Sequence, residues 1–299
     1  MRYFLTGAGG FIGRHLVPRL VARGNEVTVL LRKGTERPEG HLAGVKAVYG
    51  DLTDTAPLAI PPGTDVVLHL AAVSFVPQTL KDPMGAFQVN ATGTLRLLEA
   101  ARAASPMPRF VYVSTGHVYG PPQYVPIDEK HPLNPSSPYG STKAAADLLV
   151  SSYRASYGLP TTIVRPFNIY GPGQDASFVI PKIVDQARKT GILTLGDTSI
   201  VRDFTYVDDF IDLLLALAEH PGAVGEVFNA GSGHGHSIQE VIQEVERAMG
   251  KPLTVKEDPS LFRPGELKRL VVDMTKARHH LGWTPKVTLR EGIERLVKG

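Results

Sequence analysis

Residues 3–13 read YFLTGAGGFIG, which is a short apolar run, a cluster of glycines and the approach to a helical stretch at 15–23. A strand–turn–helix that binds a pyrophosphate uses glycine in three places. Gly7 would permit the tight turn, Gly9 or Gly10 would let the pyrophosphate approach the backbone, and Gly13 would let the helix pack closely on the strand. The helix N-terminus would then face the phosphates. A glycine-rich connection without a ligand is the alternative. The apolar strand that follows at 27–31 favours a dinucleotide site.

Apolar strands alternate with amphipathic helices through the first half of the chain, as a doubly wound sheet requires. A helix is predicted at 84–104, between the fourth and fifth strands. Because crossovers between parallel strands are right-handed, the pattern predicts an α/β fold with a Rossmann-like, doubly wound parallel sheet. The predicted strands are residues 2–6, 27–31, 45–49, 65–70, 109–114 and 160–165.

Beyond Pro166 the pattern becomes less regular, which indicates a smaller, discontinuous C-terminal domain. Helices are predicted near 179–190, 209–219 and 237–249. The expected division assigns residues 1–166 and about 204–230 to a cofactor domain, and residues 167–203 and about 231–299 to a second domain. Residues 121–138 are rich in proline and are expected to form a loop over the site.

The composition is that of an ordinary soluble enzyme. With 299 residues, 42% of them hydrophobic, the chain can bury a large core. The absence of cysteine excludes disulfides, thiolate metal sites and a cysteine nucleophile, and the ten histidines show no metal-site spacing. A net charge of +3 from scattered residues argues against nucleic-acid binding. Without a signal peptide or a membrane-spanning run, we expect a cytoplasmic protein that binds neither metal nor membrane.

A tyrosine and a lysine stand four residues apart in YGSTK, residues 139–143. At this spacing the phenol of Tyr139 and the ammonium of Lys143 share one face of a helix and can point at one reacting oxygen. The ammonium is expected to lower the pKa of Tyr139 from its usual value of about 10. A phenol tuned in this way is a usable acid or base near neutrality. Taken alone, the spacing is also that of an ordinary surface pair.

These motifs together resemble a known family. The chain is similar, over nearly its whole length, to the extended short-chain dehydrogenase/reductases that modify nucleotide sugars, the NAD-dependent epimerase/dehydratase family. The matching segments are TGAGGFIG at 6–13, GDL at 50–52, HLAA at 69–72, NATGT at 90–94, ST at 114–115, VYG at 118–120, YGSTK at 139–143, RPFN at 165–168, GPGQ at 171–174, RDF at 202–204 and RPGE at 263–266.

The resemblance implies a site for hydride transfer. Thr115, after the fifth strand, would hydrogen-bond the substrate oxygen, and Tyr139 would exchange a proton with that oxygen. Lys143 would hold the nicotinamide ribose and depress the pKa of the phenol. For Thr115 alone, a capping hydroxyl is the alternative. The residues implied in cofactor binding are Gly7, Gly9, Gly10, Phe11, Ile12, Gly13, Arg32, Asp51, Leu52, Leu70, Ala71, Ala72, Asn90 and Lys143.

The end of the second strand bears on the choice of cofactor. Relatives that prefer NAD usually place an acid there, whereas this chain has Arg32 and Lys33. A guanidinium suits a ribose 2′-phosphate both in charge and in the geometry of its donors. We therefore predict NADP, with NAD possible. A solvated basic turn is the alternative.

The resemblance places a nucleoside-diphosphate sugar on the C-terminal domain. Asn168 would meet the diphosphate, and Arg202 and Arg263 would bind nucleotide ribose or phosphate, where bidentate bonds are strongest. Glu266 would accept a hydrogen bond from base or ribose, although a solvated carboxylate is an equal alternative. Val179 completes the implied substrate-binding set. Any single arginine can instead form a surface ion pair.

Reductases, epimerases and dehydratases of the family share the three catalytic residues. Dehydratases usually carry an acid just after the active-site threonine, where this chain has Gly116 and His117. Dehydration is therefore disfavoured. Two segments, FNIYGPGQDASFV at 167–179 and DPSLFRPGELKRLVVDMTKARHHLGW at 258–283, resemble GDP-4-keto-6-deoxy-mannose reductases. Two others, STGH at 114–117 and FTYVDD at 204–209, look more like UDP-sugar 4-epimerases.

From these resemblances we predict reduction at C4 of a GDP-linked 4-keto-6-deoxy-hexose by NADPH, a step of carbohydrate biosynthesis. The alternative is a UDP-hexose 4-epimerase with tightly bound NAD. A 4,6-dehydratase is disfavoured, and so is a non-catalytic binding protein, because Tyr139 and Lys143 are both present. The resemblance also implies a homodimer packed through the helices at 84–104 and 140–157.

Overall fold

The computed structural model describes residues 1–35, 40–54, 56–262 and 267–298. Residue contacts divide the chain into two compact units. The first comprises Met1–Gly120, Pro132–Arg165 and Leu213–Phe228, and the second comprises Pro121–His131, Pro166–Asp212 and Asn229–Gly299. The domain bounds expected from the sequence stay a prediction, and these units differ from them at residues 121–131 and 204–212.

The described residues form strands and helices throughout both units. The strands are β1 (Arg2–Thr6), β2 (Glu26–Leu31), β3 (Lys46–Tyr49), β4 (Val66–His69), β5 (Arg109–Val113), β6 (Thr161–Pro166), β7 (Asn168–Tyr170), β8 (Ile192–Leu195), β9 (Val201–Tyr206), β10 (Val227–Ala230), β11 (Gly235–Ser237), β12 (Thr254–Glu257) and β13 (Arg269–Leu270). The helices are α1 (Phe11–Ala22), α2 (Val76–Lys81), α3 (Pro83–Phe87), α4 (Gly93–Ala103), α5 (Pro138–Tyr157), α6 (Val179–Lys189), α7 (Val207–Glu219), α8 (Ile238–Met249), α9 (Thr275–Leu281) and α10 (Leu289–Lys298). None of these helices has both the length and the apolar composition needed to cross a membrane.

The first unit is built on a seven-stranded sheet with the strand order β10-β6-β5-β4-β1-β2-β3. Each neighbouring pair from β3 to β6 runs parallel. The predicted α/β fold with a Rossmann-like doubly wound sheet is therefore confirmed. Each of the six predicted strands begins and ends within one residue of an observed strand.

The core of the first unit is packed around the middle strands. β4 and β6 are buried along their whole length, as expected for parallel strands with helices on both faces. The core cluster joins Phe4, Val67 and Phe110 of the sheet to Leu97 of α4 and Val150 of α5. These helices therefore fix the ends of β4 and β5, where the candidate site lies.

The helix predicted at 84–104 is present but is locally widened. Between α3 and α4 the chain forms one π-helical turn, Gln88–Thr92, in which the N–H of Gly93 donates to the Gln88 carbonyl. The hydroxyl of Thr94 donates to the Asn90 carbonyl at 2.6 Å. A hydroxyl that competes for a helix carbonyl favours such a local widening. Residues 83–103 are thus helical throughout, and the observed helix differs from the predicted one by this widened turn.

The second unit is arranged around β9, which pairs with β7, β11 and β13, while β8 pairs with β12. The predicted helices near 179–190, 209–219 and 237–249 correspond to α6, α7 and α8. The first part of the proline-rich segment, residues 121–131, also belongs to this unit. The N–H of Ile127 donates to Val271 at 2.9 Å, and the N–H of Asp273 donates to Ile127 at 2.8 Å. A position of this segment over the site stays a prediction.

Candidate active site

The turn after β1 and the loop after β4 lie next to each other at the carboxyl ends of their strands. β1 pairs with β2 on one side and with β4 on the other. The chain runs outward from β1 towards β3 on one side and from β4 towards β6 on the other. Ligands of open α/β sheets bind in the crevice at this reversal of strand order. Residues 7–13 and 70–73 flank the crevice.

The glycine turn satisfies the geometry that a phosphate cradle requires. Gly7 has φ of 77°, and a Cβ there would lie 2.7 Å from the Ala71 nitrogen. A Cβ at Gly13 would lie 2.4 Å from the Ala8 carbonyl oxygen, whereas one at Gly9 would meet nothing within 4 Å. Gly7 and Gly13 are therefore needed for packing, and Gly9 leaves space beside the backbone. The N-cap of α1, Gly10, provides no side-chain cap.

These features fit a dinucleotide. The first turn of α1 contains no acidic residue, so neither a carboxylate nor a side-chain cap competes for its N–H groups. Free N–H groups at a helix N-terminus bind a diphosphate through hydrogen bonds and the helix dipole. Phe11 and Ile12 supply this terminus, as the resemblance implies, whereas the N–H of Gly10 already donates to the Gly7 carbonyl at 3.0 Å. Arg14 of the same helix donates from Nε to the Gly9 carbonyl at 3.1 Å.

A cavity of about 340 Å³ lies beyond the ends of β2 and β3. The hydrogen bond from the Thr53 N–H is the largest influence on Asp51, and with the charge of Arg32 it holds the pKa of this carboxyl below its usual value. Arg96 of α4 donates to the Leu52 carbonyl at 2.6 Å and so fixes the loop that carries these residues. The lining residues are Arg32, Lys33, Gly34, Thr35, Asp51 and Asp54.

The loop after β4 is held by Asn90. The Val73 N–H donates to the Asn90 side chain at 2.8 Å, and the Asn90 amide donates to the Val73 carbonyl at 3.1 Å. Leu70, Ala71 and Ala72 remain half-buried. Asn90 is almost fully buried, so the structure places it behind the predicted cofactor loop, where it fixes the loop's backbone.

The three predicted catalytic residues come together at the end of β5 and the start of α5. The Thr115 side chain lies beside the Tyr139 hydroxyl and lowers the pKa of that phenol. The His117 N–H donates to Thr115 Oγ1 at 3.3 Å, and the His117 ring packs edgewise on Tyr139 at 5.6 Å between centroids. Lys143 Nζ donates to the Val113 carbonyl at 2.7 Å. All three of these predicted catalytic side chains are buried.

The expected lowering of the Tyr139 pKa is wrong for this site. Burial raises the pKa of Tyr139 to about 12, and the hydrogen bond with Thr115 opposes the rise. Burial also lowers the pKa of Lys143 to about 7, while the charge of Asp147 opposes that change. The expected lowering applies to a tyrosine beside a fully charged lysine in water, but desolvation disfavours the charged form of both groups. At neutral pH Tyr139 therefore carries its proton.

The stability of the protein is expected to rise with pH because of Lys143. Its pKa is about 7 when folded, against an ordinary value of 10.5, so between these values the unfolded chain binds more protons. From pH about 7 to about 9, the free energy of unfolding should rise in the wild type relative to Lys143→Met. Urea unfolding at both pH values measures this difference.

The charged and titratable groups near Lys143 are Asp147, Tyr112 and His69, with Tyr139 one helical turn before it. They are present in both proteins of the comparison, so their direct contributions largely cancel. The exposed lysine Lys46 provides the control, since Lys46→Met should show no such pH dependence. A stability difference between wild type and Lys143→Met that does not change with pH would contradict the prediction.

A buried ion pair supports the catalytic residues and is absent from the sequence predictions. Asp147 accepts hydrogen bonds from Arg165 Nε at 2.9 Å, from Arg165 Nη2 at 2.8 Å and from the Ser114 hydroxyl at 2.9 Å. Arg165 also donates to the Tyr119 hydroxyl at 3.0 Å. Ser114 precedes Thr115, so the pair ties the end of β5 to α5. The signal in the sequence is the spacing of four residues from Lys143 to Asp147.

The predicted substrate residues of the second unit lie on β7, β9 and α6. The Asn168 amide donates to the Asp203 carbonyl at 3.1 Å, and Arg202 donates to the Val201 carbonyl at 2.9 Å. Val179 is the first residue of α6. The last two predicted residues, Arg263 and Glu266, lie outside the described residues.

Comparisons with known proteins cover nearly the whole chain. The family described as GDP-mannose 4,6 dehydratase matches residues 4–296. A UDP-glucose 4-epimerase of Mycolicibacterium smegmatis is 38% identical over 314 residues, which cover 100% of this chain and 98% of the epimerase. A GDP-6-deoxy-D-mannose reductase of Pseudomonas aeruginosa is 33% identical over 307 residues, which cover 99% of this chain and 96% of the reductase.

Solved structures of similar proteins share the fold. A dTDP-glucose 4,6-dehydratase of Streptomyces venezuelae, with NAD bound, has a TM-score of 0.90 at 32% identity and covers 100% of this chain and 96% of its own. The UDP-glucose 4-epimerase of Thermus thermophilus, in complex with NAD, gives 0.88 at 36%, with coverage of 100% and 98%. RMD from Pseudomonas aeruginosa, complexed with NADPH, gives 0.84 at 31%, with coverage of 99% and 97%.

Proposed function

Because the chain belongs to the GDP-mannose 4,6 dehydratase family and is related to nucleotide-sugar epimerases and reductases, we propose that it reduces C4 of a GDP-linked 4-keto-6-deoxy-hexose with NADPH. Membership of the family makes it a nicotinamide-dependent enzyme of nucleotide sugars. The choice of reduction rests on one observation, the pair of cations Arg32 and Lys33 in the cavity at the end of β2.

The two cations favour the phosphorylated cofactor. Arg32 and Lys33 are exposed and line the same cavity as Asp51. An acid at the end of the second strand would bind ribose hydroxyls, whereas a guanidinium offers charge and paired donors to a 2′-phosphate. A reductase consumes its cofactor and must take up NADPH in every cycle. This supports the reductase, and RMD is a relative of known structure complexed with NADPH.

Arg32→Ala is expected to weaken NADPH binding by about 10-fold to 100-fold and to leave NAD binding nearly unchanged. The reason is the loss of a charge-assisted contact with the 2′-phosphate. Isothermal calorimetry with both cofactors measures the change. Arg23→Ala, at an exposed arginine paired with Glu219, is the matched control and should bind both cofactors normally. An equal loss for NADPH and NAD would contradict a 2′-phosphate contact.

The buried side chains can supply the proton that the reduction requires. A bound nicotinamide would supply the hydride to the sugar carbon. Tyr139, whose pKa is about 12, keeps its proton at neutral pH and can donate it to the developing alkoxide. Thr115 shares a hydrogen bond with Tyr139 and would hold the same oxygen. Lys143 would stabilise the resulting phenolate until solvent restores the proton.

Dehydration is not supported by the residues beside Thr115. The 3₁₀ turn that follows, Gly116–Tyr119, contains no carboxylate. Elimination of water from the sugar requires an acid and a base in addition to the hydride-transfer residues. His117 contacts the ring of Tyr139, but one imidazole does not supply both groups.

A nucleotide-sugar 4-epimerase is the second candidate. It is favoured by 38% identity with the epimerase of Mycolicibacterium smegmatis and 36% identity with that of Thermus thermophilus. In an epimerase the same side chains would first accept the C4 hydroxyl proton and then return it after the keto-sugar rotates. The cofactor would be tightly bound NAD, which leaves Arg32 and Lys33 without a phosphate partner.

One assay separates the two candidates. Purified protein is incubated with NADPH and a GDP-linked 4-keto-6-deoxy-hexose, and in parallel with a UDP-hexose without added cofactor. A reductase consumes NADPH in proportion to the reduced sugar. Interconversion of UDP-hexoses without net loss of nicotinamide absorbance, together with no reaction of the keto-sugar, would refute the reductase and establish the epimerase.

We further propose that the chain forms a homodimer through the helices at 84–104 and 140–157, as the resemblance implies, with α2 beside them. Large apolar side chains on these helices are exposed, with Met84 at 68% and Leu148 at 61%, together with Leu80 and Phe87. A group of exposed apolar residues on neighbouring helices is typical of an interface.

Leu148→Asp is expected to convert the dimer into a monomer, because it would bury a charge in an apolar interface. Light scattering coupled to size-exclusion chromatography measures the mass. Met107→Asp is the control, since Met107 is also an exposed apolar residue of this unit but lies outside the three helices. A monomeric wild type, or a dimeric Leu148→Asp, would contradict the proposed interface.

A further inference from the structure

A fully buried histidine lies at the end of β4, between the two loops that flank the crevice. His69 is 1% exposed. Its Nδ1 lies 2.6 Å from the Thr6 hydroxyl, at the end of β1, and its Nε2 lies 2.8 Å from the Thr94 hydroxyl on α4. The imidazole therefore spans the strand reversal at which the cofactor is expected to bind.

The direction of each hydrogen bond in this group is determined by its neighbours. A backbone carbonyl only accepts, so Thr94 must donate its proton to the Asn90 oxygen at 2.6 Å. Thr94 Oγ1 is then an acceptor for Nε2–H of His69. The Nδ1 of His69 in turn accepts from Thr6, whose oxygen accepts from the Ala71 N–H at 3.3 Å. Each of these hydroxyl and N–H protons is therefore donated to one acceptor.

The same chain of bonds continues to the catalytic helix. The Asn90 amide donates to the Thr142 hydroxyl at 3.0 Å, and Thr142 donates to the Tyr139 carbonyl at 2.9 Å. Asn90 also holds Val73 through both backbone groups. Loop 70–73 and Tyr139 are thus joined through buried side chains that lie almost entirely out of contact with solvent.

We propose that His69 is a positioning residue, which as the Nε2–H tautomer aligns the cofactor loop at 70–73 with the catalytic helix through the chain Thr6, His69, Thr94, Asn90 and Thr142. The inference rests on the proposed function, because it assigns loop 70–73 to the cofactor and Tyr139 to proton transfer. In the opposite tautomer the unprotonated Nε2 would face Thr94, whose proton is already donated to Asn90, and the Thr6 proton would lose its acceptor.

The surroundings of His69 keep the ring in one state. The charged or titratable groups that face it are Lys143 from α5 and Tyr112 from β5, whose ring centroid lies 5.6 Å away. Burial first, and the charge of Lys143 second, lower the pKa of His69 to about 3. The ring is therefore neutral across the physiological range, and its two bonds keep their direction.

The series of hydrogen bonds is tested with Thr94→Val, which keeps the shape of Thr94 and removes its hydroxyl. Thr94→Ser, which keeps the hydroxyl, is the matched control. Thr94→Val should weaken NADPH binding about tenfold in calorimetry, as expected for the loss of a buried hydrogen bond. It should also lower kcat and leave the KM for the sugar nucleotide unchanged. Thr94→Ser should restore cofactor affinity and kcat. Wild-type values in Thr94→Val, or no rescue in Thr94→Ser, would overturn the proposal.

The tautomer of His69 is measured directly in the wild-type protein, so the test does not depend on how the variants fold. Nitrogen-15 spectra should show a protonated Nε2 and an unprotonated Nδ1 from pH about 5 to about 9, without titration. A ring that titrates in this range, or a protonated Nδ1, would overturn the proposal. This measurement needs no turnover. A protein that fails to use NADPH but shows this tautomer would refute the proposed reduction alone.

Discussion

Tyr139→Phe should lower kcat by roughly 100-fold to 10,000-fold, the usual contribution of a positioned general acid. The substitution removes one hydroxyl and leaves the ring that packs against His117. Cofactor and sugar-nucleotide affinities should stay close to those of the wild type, since the hydroxyl acts on the reacting oxygen. Steady-state kinetics with NADPH and calorimetry with each ligand separate the two effects.

Tyr153→Phe is the matched control for this substitution. Tyr153 lies on the same helix, but its hydroxyl donates to Glu99 on α4 and has no part in the proposed chemistry. Its removal should leave kcat unchanged. If Tyr139→Phe turned over substrate as fast as Tyr153→Phe, Tyr139 would not be the acid and the proposed mechanism would be incorrect.

Arg165→Met should destabilise the folded protein by about 3–5 kcal/mol, the usual cost of breaking a buried ion pair. Both side chains of the pair are almost fully buried, at 7% for Arg165 and 1% for Asp147. Without the guanidinium, Asp147 keeps only the Ser114 hydroxyl among the bonds described above. Urea unfolding followed by circular dichroism gives the change in the free energy of unfolding.

Two further variants test the cause of this loss. Lys46→Met breaks an exposed pair with Glu26, whose side chains are 76% and 65% exposed, and should cost less than about 1 kcal/mol. The double variant Arg165→Met/Asp147→Leu removes the charge left unpaired in the single variant and should recover part of its lost stability. A double variant less stable than Arg165→Met would show that the loss does not come from an unpaired carboxylate.

The positions of the catalytic residues are largely predictable from the sequence. Strand, glycine turn and helix follow from local composition, and the parallel arrangement of the strands follows from their helical crossovers. Tyr139 and Lys143 share a face of α5 because the helical period is regular. The end of β5 then brings Thr115 to the same place. Each of these steps depends on residues that are close together in the chain.

The electrostatic state of the site is not predictable in the same way. Spacing places Lys143 near Tyr139, but the pKa of each depends on how much protein covers it. Burial is a property of the assembled sheet and helices, and here it raises the pKa of Tyr139 to about 12. The expected phenolate-favouring effect of Lys143 fails because the same burial acts on the lysine.

The residues that support the candidate site could not be identified from local sequence motifs either. Asp147 shares the helix face of Lys143, but its partner Arg165 is on β6, and their pairing requires the packing of α5 on the sheet. His69 presents the same difficulty, because Thr6 and Thr94 are 63 and 25 residues away. The π-helical turn is accompanied by a hydrogen bond from the Thr94 hydroxyl to the Asn90 carbonyl, which no sequence pattern indicates. Contacts of this kind appear only when the strand order and the helix positions are known together.

The edge strand β10 of the seven-stranded sheet comes late in the chain. β10 forms the edge of the sheet beside β6 and spans Val227–Ala230, whereas β6 ends at Pro166. A protein leaves the ribosome from its N-terminus, so β6 emerges as an uncovered edge long before its neighbour has been translated. An open edge of apolar strand can pair with other chains. Until β10 has been synthesised, this edge of β6 is therefore open to pairing with other chains.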